Sequence, residues 1–426
     1  MRILVLGGGG FIGRHLVAEL IGNGHQVVAT ARHERRLRGA IAGMSVLELD
    51  LAKAIQPDDW APLLAGIDVI VNAAGILRGR DMQRLHVDMP RALYTAAEAA
   101  GVKRVILISA ISARPDVETD YAKTKLAGEE LLRRSGLNWT ILRPSLVYGD
   151  GSYGGTSLLR GMAGLPWLMP VPGAGDFAFT PIHLSDLAHT VRRICEEDDF
   201  AGRVLEPVGP ETLTLRRLLM RYRAWLGLGP AYFVKVPMPL MRLLGRIGDW
   251  LGDGPIATNS LAQMIAGNAG DSVAFAQAIG FEPRSLDAVL TARPAQVQDR
   301  WHARLFFLVP AITAVLALLW VASAILGLTT GAAKTTELVS ALGWPMALAE
   351  PLRIGSSLLD LCLAIFVLID RSARRSTLAQ LIVVLGYSLL IGFALPALWL
   401  DPLGPLLKNL PILILILVHG AIGDKR

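Results

Sequence analysis

Tyr121 and Lys125 stand four residues apart in "YAKTK", in a stretch whose spacing predicts a helix, so their side chains share one face. A phenol beside an ammonium has its pKa lowered, because the positive charge favours the phenolate. Such a tyrosine can pass a proton to or from a carbinol or carbonyl oxygen while hydride moves at the attached carbon. A Y-x-x-x-K spacing also occurs on ordinary amphipathic helices. Here it follows a glycine-rich turn and a strand ending in Ser109, which turns the balance towards chemistry.

The glycine turn is G-x-x-G-x-x-G, made by Gly7, Gly10 and Gly13 between "RILVLG" and "RHLVAELIGNG". Gly7 permits a tight turn, Gly10 lets backbone approach a pyrophosphate, and Gly13 lets helix and strand pack closely. Phe11 and Ile12 complete "GGGGFIG" and open a helix whose N-terminus offers partial positive charge to phosphates. In such sites an acid ends the second strand when a ribose 2′-hydroxyl is bound. Here "VVATARHERRLRG" places Ala31 and Arg32 there. Arg32, with Arg35 or Arg36, suits a 2′-phosphate through its planar fork, so the cofactor expected is NADP, with NAD open. A solvated basic helix face is the other reading of those arginines. Asp50 and Leu51 end the third strand near the adenine, and "NAAG" lends Ala73, Ala74 and Gly75 to the cofactor wall. No cysteine–histidine cluster suggests a metal.

These residues need a scaffold. "RILVLG" (2–7), "QVVATA" (26–31), "MSVLELD" (44–50), "DVIVNAAG" (68–75), "RVILIS" (104–109) and "NWTILRP" (138–144) read as buried strands. Helical patterns lie between them, which predicts an α/β Rossmann-like doubly wound parallel sheet over 1–150, completed by parts of 175–205. Residues 151–300 are richer in Gly and Pro and read as a small substrate lobe. Trp167, Met169 and Phe177 could wall its pocket or pack in its core. A helix within 234–252 gathers Leu240, Leu243, Leu244, Ile247 and Leu251 on one side, for core packing or for lying on a membrane.

From 304 to 424 the chain changes character. Four apolar runs, about 305–328, 354–370, 378–400 and 409–423, predict an all-α transmembrane domain of four helices. Arg300 and Arg304 precede the first run, "RSARR" separates the second from the third, and Lys425 and Arg426 follow the last. The positive-inside rule then puts both termini in the cytoplasm, as a multi-pass protein of the cell inner membrane. Asp360 falls within the second run, so it should face the bundle, with His419 as a candidate partner. Either a proton or ligand site or a packing hydrogen bond would account for it.

Composition agrees. Hydrophobic residues make up 52% and charged residues 18%, with a mean hydropathy of +0.45. The net charge of +6 comes without an aromatic-interleaved basic run, so membrane-facing loops explain it better than nucleic acid. Cys195 and Cys362 cannot build a disulfide framework, which fits a reducing compartment. The short, glycine-interrupted start is not expected to be a signal peptide.

"GGGGFIG", "NAAG", "YAKTKLAGEE", "RPSLVYGDG" and "PIHLSDLA", in this order over about 1–200, resemble the extended and atypical short-chain dehydrogenase/reductases. The branch includes epimerases and dehydratases and the nucleotide-binding accessory subunit of respiratory complex I. The resemblance implies Tyr121 as proton donor or acceptor, Lys125 as the group that lowers its pKa and holds the nicotinamide ribose, and Pro144 and Val147 against the nicotinamide. His183, Ser185 and Asp186 match a family segment that caps a helix. The family's catalytic Ser or Thr usually follows the position of Ser109, where this chain has Ala110; Ser109 or Ser112 would then supply the hydroxyl. "LLWVASAILGL" and "LDPLGPLLKNLPIL" resemble the DoxX-like membrane family.

The function expected is a membrane-anchored NAD(P)-dependent oxidoreductase, moving hydride at a carbonyl or carbinol carbon of a small, lipophilic substrate. The alternatives are a non-catalytic NADP(H)-binding scaffold or redox sensor of a membrane protein complex, and a sugar-nucleotide epimerase/dehydratase. The partners expected are the lipid bilayer and the substrate, and no nucleic acid.

Overall fold

The structure is a computed structural model that describes residues 1–32, 44–151, 154–251, 257–402 and 404–423. It divides into two compact units, Met1–Ala303 and Arg304–Arg426.

The first unit is built on a seven-stranded parallel sheet. Its strands are β1 (Arg2–Leu6), β2 (Gln26–Ala31), β3 (Met44–Glu48), β4 (Val69–Asn72), β5 (Arg104–Ile108), β6 (Trp139–Leu142) and the strand Arg203–Leu205. Across the sheet the order is Arg203–Leu205, β6, β5, β4, β1, β2, β3. The order reverses at β1, which pairs with β2 on one side and β4 on the other. A crevice at the carboxyl ends of β1 and β4 is the usual consequence.

Both faces of the sheet are covered, as the near-continuous apolar strands require. In β1, Ile3 and Val5 join the core formed with Leu16, Leu187 and Val191. Leu4 and Leu6 point the other way, to Trp60, Met89 and Leu93. The helices that position the site are α1 (Phe11–Gly22), α2 (Met89–Ala99) and α3 (Asp120–Arg133). Thr119 starts α3, its hydroxyl accepting the Ala122 N–H at 3.1 Å. One turn of π-helix, Arg84–Asp88, precedes α2.

Residues 154–303 add short helices and small strand pairs. Trp167 is exposed, Met169 is buried and Phe177 is half-buried, so of the three only Met169 packs fully in the core. Strand alternation sends Met169 into the core.

The second unit is helical. Leu308–Thr330, Met346–Ile369 and Arg374–Ala394 are long and apolar enough to cross a membrane by length and composition. The fourth apolar helix, Asn409–Ile422, has 14 residues, about 21 Å of rise, which is short of a hydrocarbon core of about 30 Å. The second span starts earlier than expected, and the third ends at Ala394, where Pro396 cannot continue it. A further helix, Ala332–Ala341, lies between the first two. Large apolar side chains such as Leu318, Leu368, Leu389 and Phe393 face outward. Ser357, Asp360, Gln380, Ser388 and His419 are buried. That inversion suits a lipid surround, where polar groups hold helices together.

Candidate functional site

The glycine turn has the geometry its residues demand. Gly7 has φ +72°, and a Cβ there would lie 3.1 Å from the Ala73 carbonyl oxygen. Its N–H donates to Thr30 Oγ1 at 3.1 Å, and its carbonyl accepts the Gly10 N–H at 2.9 Å. A Cβ at Gly13 would collide with the Gly7 carbonyl, so α1 packs against the turn only because Gly13 has none. Gly10 is the N-cap of α1 and offers no side-chain cap, which leaves the first N–H groups for an anion. Phe11 and Ile12 are half-buried behind it. These features fit a pyrophosphate cradle.

The rest of the expected cofactor wall follows the carboxyl ends of the strands. Arg32 is exposed just past β2. Arg35 and Arg36 lie outside the described residues. Asp50 is half-buried and its Oδ1 accepts the Ala52 N–H at 3.3 Å, while Leu51 is buried beside it. Ala73, Ala74 and Gly75 follow β4, where Asn72 Oδ1 accepts the Ala74 N–H at 3.1 Å. Pro144 is buried, its carbonyl accepting the Ile111 N–H at 3.0 Å. Val147 is half-buried in a two-residue strand paired with Ile182.

The structure brings Tyr121 and Lys125 to this crevice on one face of α3. The Lys125 ammonium is buried and donates to the Ile108 carbonyl at 3.1 Å and the Ala74 carbonyl at 3.5 Å. A Cβ at Gly75 would come within 2.9 Å of Lys125 Nζ, so the ammonium lies directly on the Ala74–Gly75 backbone. Burial pulls its pKa down to about 8, with Glu129 opposing. The Tyr121 phenol goes the other way: burial pushes it up to about 12. The Tyr121 phenol thus departs from the expected lowering, and burial is the cause.

Between them sits a residue the sequence did not single out. His86, on the π-helical turn, meets the Tyr121 ring edge-on, with centroids 5.7 Å apart. The Ile76 N–H donates to His86 Nε2 at 3.2 Å, and His86 Nδ1 lies 2.9 Å from Thr124 Oγ1. A backbone N–H can only donate, so Nε2 is the acceptor and the proton belongs on Nδ1. Thr124 Oγ1 in turn donates to the Asp120 carbonyl at 2.8 Å. Burial and then the Lys125 charge hold the imidazole down to about 3, so it stays neutral. A lone histidine in "RLHVD" carries no spacing signal, and only the fold brings it to Tyr121.

Ser109 directly follows β5, and its hydroxyl donates to Glu129 Oε1 at 2.5 Å. Glu129 is fully buried and also takes Arg143 at 2.6 Å and Arg133 at 2.7 Å. The Ser109 hydroxyl is thus part of a buried ion-pair network tying β5 to α3. Ser112 is buried in the turn after β5.

Beside the start of α3 lies a cavity of about 280 Å³. Asp116, Val117, Glu118 and Thr119 form one wall, and Ala262, Ile265 and Ala266 the other. On the far side, His183 Nδ1 accepts the Ser185 N–H at 3.3 Å as a helix cap, and Asp186 pairs with Arg284 at 2.9 Å.

Comparison with known proteins agrees with this geometry. Residues 7–162 match a family described as NAD(P)H-binding, and residues 317–417 match the DoxX-like family. The chain joins an NAD(P)H-binding domain of the extended short-chain dehydrogenase/reductase type to a DoxX-like domain. It is 26% identical over 248 residues to the mouse mitochondrial NADH dehydrogenase [ubiquinone] 1 alpha subcomplex subunit 9, covering 55% of this chain and 63% of that one. It is 30% identical over 202 residues to a ceramide reductase of Caulobacter vibrioides, covering 45% and 60%. The chain thus spans about three fifths of the length of these curated relatives. An Escherichia coli NADPH-dependent quinone oxidoreductase complexed with NADPH shares the fold, at TM-score 0.54 and 22% identity, over 68% of this chain and 99% of that one.

The DoxX-like domain has its own buried polar group. Asp360 accepts Ser323 Oγ at 2.6 Å and Tyr387 OH at 3.2 Å. His419 lies 3.0 Å from Thr313 Oγ1 instead, so it is not the partner that the sequence suggested for Asp360. A group of three or more metal-ligating side chains is absent among the described residues.

Proposed function

We propose that this protein is a membrane-anchored NAD(P)H-dependent oxidoreductase that reduces a carbonyl group of a lipophilic substrate. The observation that carries the reading is Tyr121 and Lys125 at the carboxyl ends of β4 and β5, beside the Gly7–Gly13 turn. When bound, a nicotinamide nucleotide supplies the hydride. Gly7, Gly10 and Gly13 cradle its pyrophosphate, Asp50 and Leu51 flank the adenine, and Ala73, Ala74 and Gly75 line its path. Pro144 and Val147 back the nicotinamide end. Arg32 holds a 2′-phosphate, which makes NADPH the preferred ligand. Lys125 would hold the nicotinamide ribose. Tyr121 stays protonated at neutral pH because burial holds its phenol up to about 12, so it is set to donate in the reductive direction. His86 fixes the Ile76 backbone and the Tyr121 ring.

The apolar wall of the cavity beside Thr119 suits a lipid tail, and a relative that is a ceramide reductase supports a long-chain substrate. Arg300 and Arg304 before the first apolar helix, with Arg371, Arg374 and Arg375 before and at the start of the third, support a cytoplasmic face of an inner membrane for the reductase domain. A second reading has support of its own. Ala110 brings no hydroxyl, Ser109 is committed to Glu129, and one relative is a subunit of NADH dehydrogenase, all of which suit a nucleotide-binding scaffold of a membrane complex.

The test uses detergent-purified full-length protein. NADPH and NADH are titrated by fluorescence in wild type and Arg32→Ala, then deuterium transfer from labelled NADPH to a long-chain ketone is followed. A preference for NADPH that Arg32→Ala removes, with transfer that falls by roughly 100-fold or more in Tyr121→Phe, supports the reductase. Tight binding with no transfer to a ketone or a short-chain quinone supports the scaffold. Tighter binding of NADH overturns the role of Arg32.

A further inference from the structure

The helix Met238–Leu251 is packed inside out. Leu240, Leu243, Leu244 and Ile247 recur at helical spacing on one face and are 46%, 51%, 39% and 43% exposed. The face turned inward is made small. Gly245 is buried, and a Cβ there would lie 3.2 Å from the Thr258 backbone nitrogen. Asp249 Oδ1 accepts that same N–H at 3.2 Å, so the helix Thr258–Ala266 is docked on this side. A surface helix in water turns its leucines the other way. The strand before it, Tyr232–Val236, repeats the pattern. It pairs in parallel with Leu168–Pro172, Tyr232 opposite Leu168, and exposes Tyr232, Val234 and Leu168. Its other side is used, since Phe233 lies under the Arg216 guanidinium at 4.5 Å. Lys235, Arg242 and Arg246 are exposed among these apolar residues.

We propose that the helix Met238–Leu251, with the adjoining strand Tyr232–Val236, docks on the surface of an anionic lipid leaflet. Four large apolar side chains exposed along one helix face are unusual on a protein surrounded by water. The leucine face enters the boundary between headgroups and acyl chains, and Tyr232 sits at headgroup level. Lys235, Arg242 and Arg246 lay their stems along the apolar surface and reach lipid phosphates. A bilayer is also the partner held close by the chain itself, whose first apolar helix begins at Leu308. Tethering of this kind lets a weak contact be well populated. A second copy is the poorer occupant, because a two-fold contact brings each arginine pair towards its own image.

The test uses the full-length chain in nanodiscs, with Cys195 and Cys362 replaced by alanine. A polarity-sensitive fluorophore is attached at Leu243→Cys, at Ile247→Cys and, as control, at the exposed Val273→Cys of the helix Ser272–Ile279. NADPH binding shows that each labelled chain is folded. In phosphatidylglycerol nanodiscs, spin-labelled lipid quenches the 243 and 247 labels and not the 273 label. Arg242→Gln and Arg246→Gln each lower the docked-to-undocked ratio by about fivefold, the worth of one basic residue near an anionic surface. Aqueous iodide quenching all three labels alike overturns the proposal. Labels at 243 and 247 shielded from both quenchers, with coupling between two chains, would assign the face to a second copy and overturn it too. Equal docking in pure phosphatidylcholine removes the anionic lipid from the proposal.

Discussion

Two buried carboxylates are answered in different ways in the two units. Glu129 is fully buried in the N-terminal unit and is met by charge, from Arg143 and Arg133. Asp360 is 4% exposed among the apolar helices and is met by hydroxyls, from Ser323 and Tyr387. The arginines can serve Glu129 because their side chains keep 16% and 27% exposure to water. A guanidinium set among lipid-facing helices would add its own desolvation cost, so hydroxyls from neighbouring helices do the work instead. The surroundings decide whether a buried acid is neutralised by a cation or shared among neutral donors.

The comparison breaks most visibly at Glu129. Glu129→Gln leaves Arg143 beside a neutral amide and should cost about 3–5 kcal/mol in the N-terminal unit, read from denaturant unfolding of detergent-purified protein. A loss under about 1 kcal/mol would mean that charge pairing does not hold β5, β6 and α3 together. Lys125 carries the opposite sign. Its folded pKa lies near 8 rather than 10.5, so the folded state binds fewer protons between those values. Wild-type stability should therefore rise as pH climbs from about 8 towards 10.5, and Lys125→Met should flatten that rise. At neutral pH the same change should stabilise by up to about 3 kcal/mol while weakening nucleotide binding. An unchanged pH profile in Lys125→Met would assign the rise to other groups.

Smaller effects sharpen the same contrast. Ser109→Ala removes one donor to Glu129 and should cost about 1–1.5 kcal/mol. If Ser109 only supports Glu129, ketone reduction changes by less than about threefold; a loss on the order of 100-fold would make it an oxyanion donor after all. Asp360→Asn keeps an oxygen acceptor for the hydroxyls and should cost under about 1 kcal/mol in thermal unfolding of the helical unit. A cost comparable with that of Glu129→Gln would show that Asp360 bears a charge on which its unit depends.

Much of the scaffold was legible because it is written in local spacing. Six apolar runs mark six strands of the sheet, and the seventh, Arg203–Leu205, comes from the completing segment, though its three residues are too short to stand out. The glycine turn was legible because Gly7 takes φ +72° and a side chain at Gly10 or Gly13 would meet the turn's own backbone at Gly7. The site was less so. His86 and Glu129 are 35 residues or fewer from Tyr121, yet no periodicity links an imidazole to a phenol or a carboxylate to Arg143. The fourth apolar run, about 409–423, matches the helix Asn409–Ile422, whereas the third was read past its end at Ala394, because Leu395 and Pro396 are as apolar as the span they close.

By itself the sequence determined which residues share a face: Tyr121 with Lys125, Leu240 with Leu243, Leu244 and Ile247, and the apolar sides of the later helices. That follows from helix and strand geometry, which every chain obeys before it packs. Tertiary structure decided which way those faces point and what meets them. It sent Ser109 to Glu129, set Lys125 on the Ala74 and Ile108 carbonyls, gave Asp360 two hydroxyls, and turned Leu240, Leu243, Leu244 and Ile247 outward. Each outcome depends on partners far away in the chain, and burial sets the energy of a polar group only after those partners have arrived.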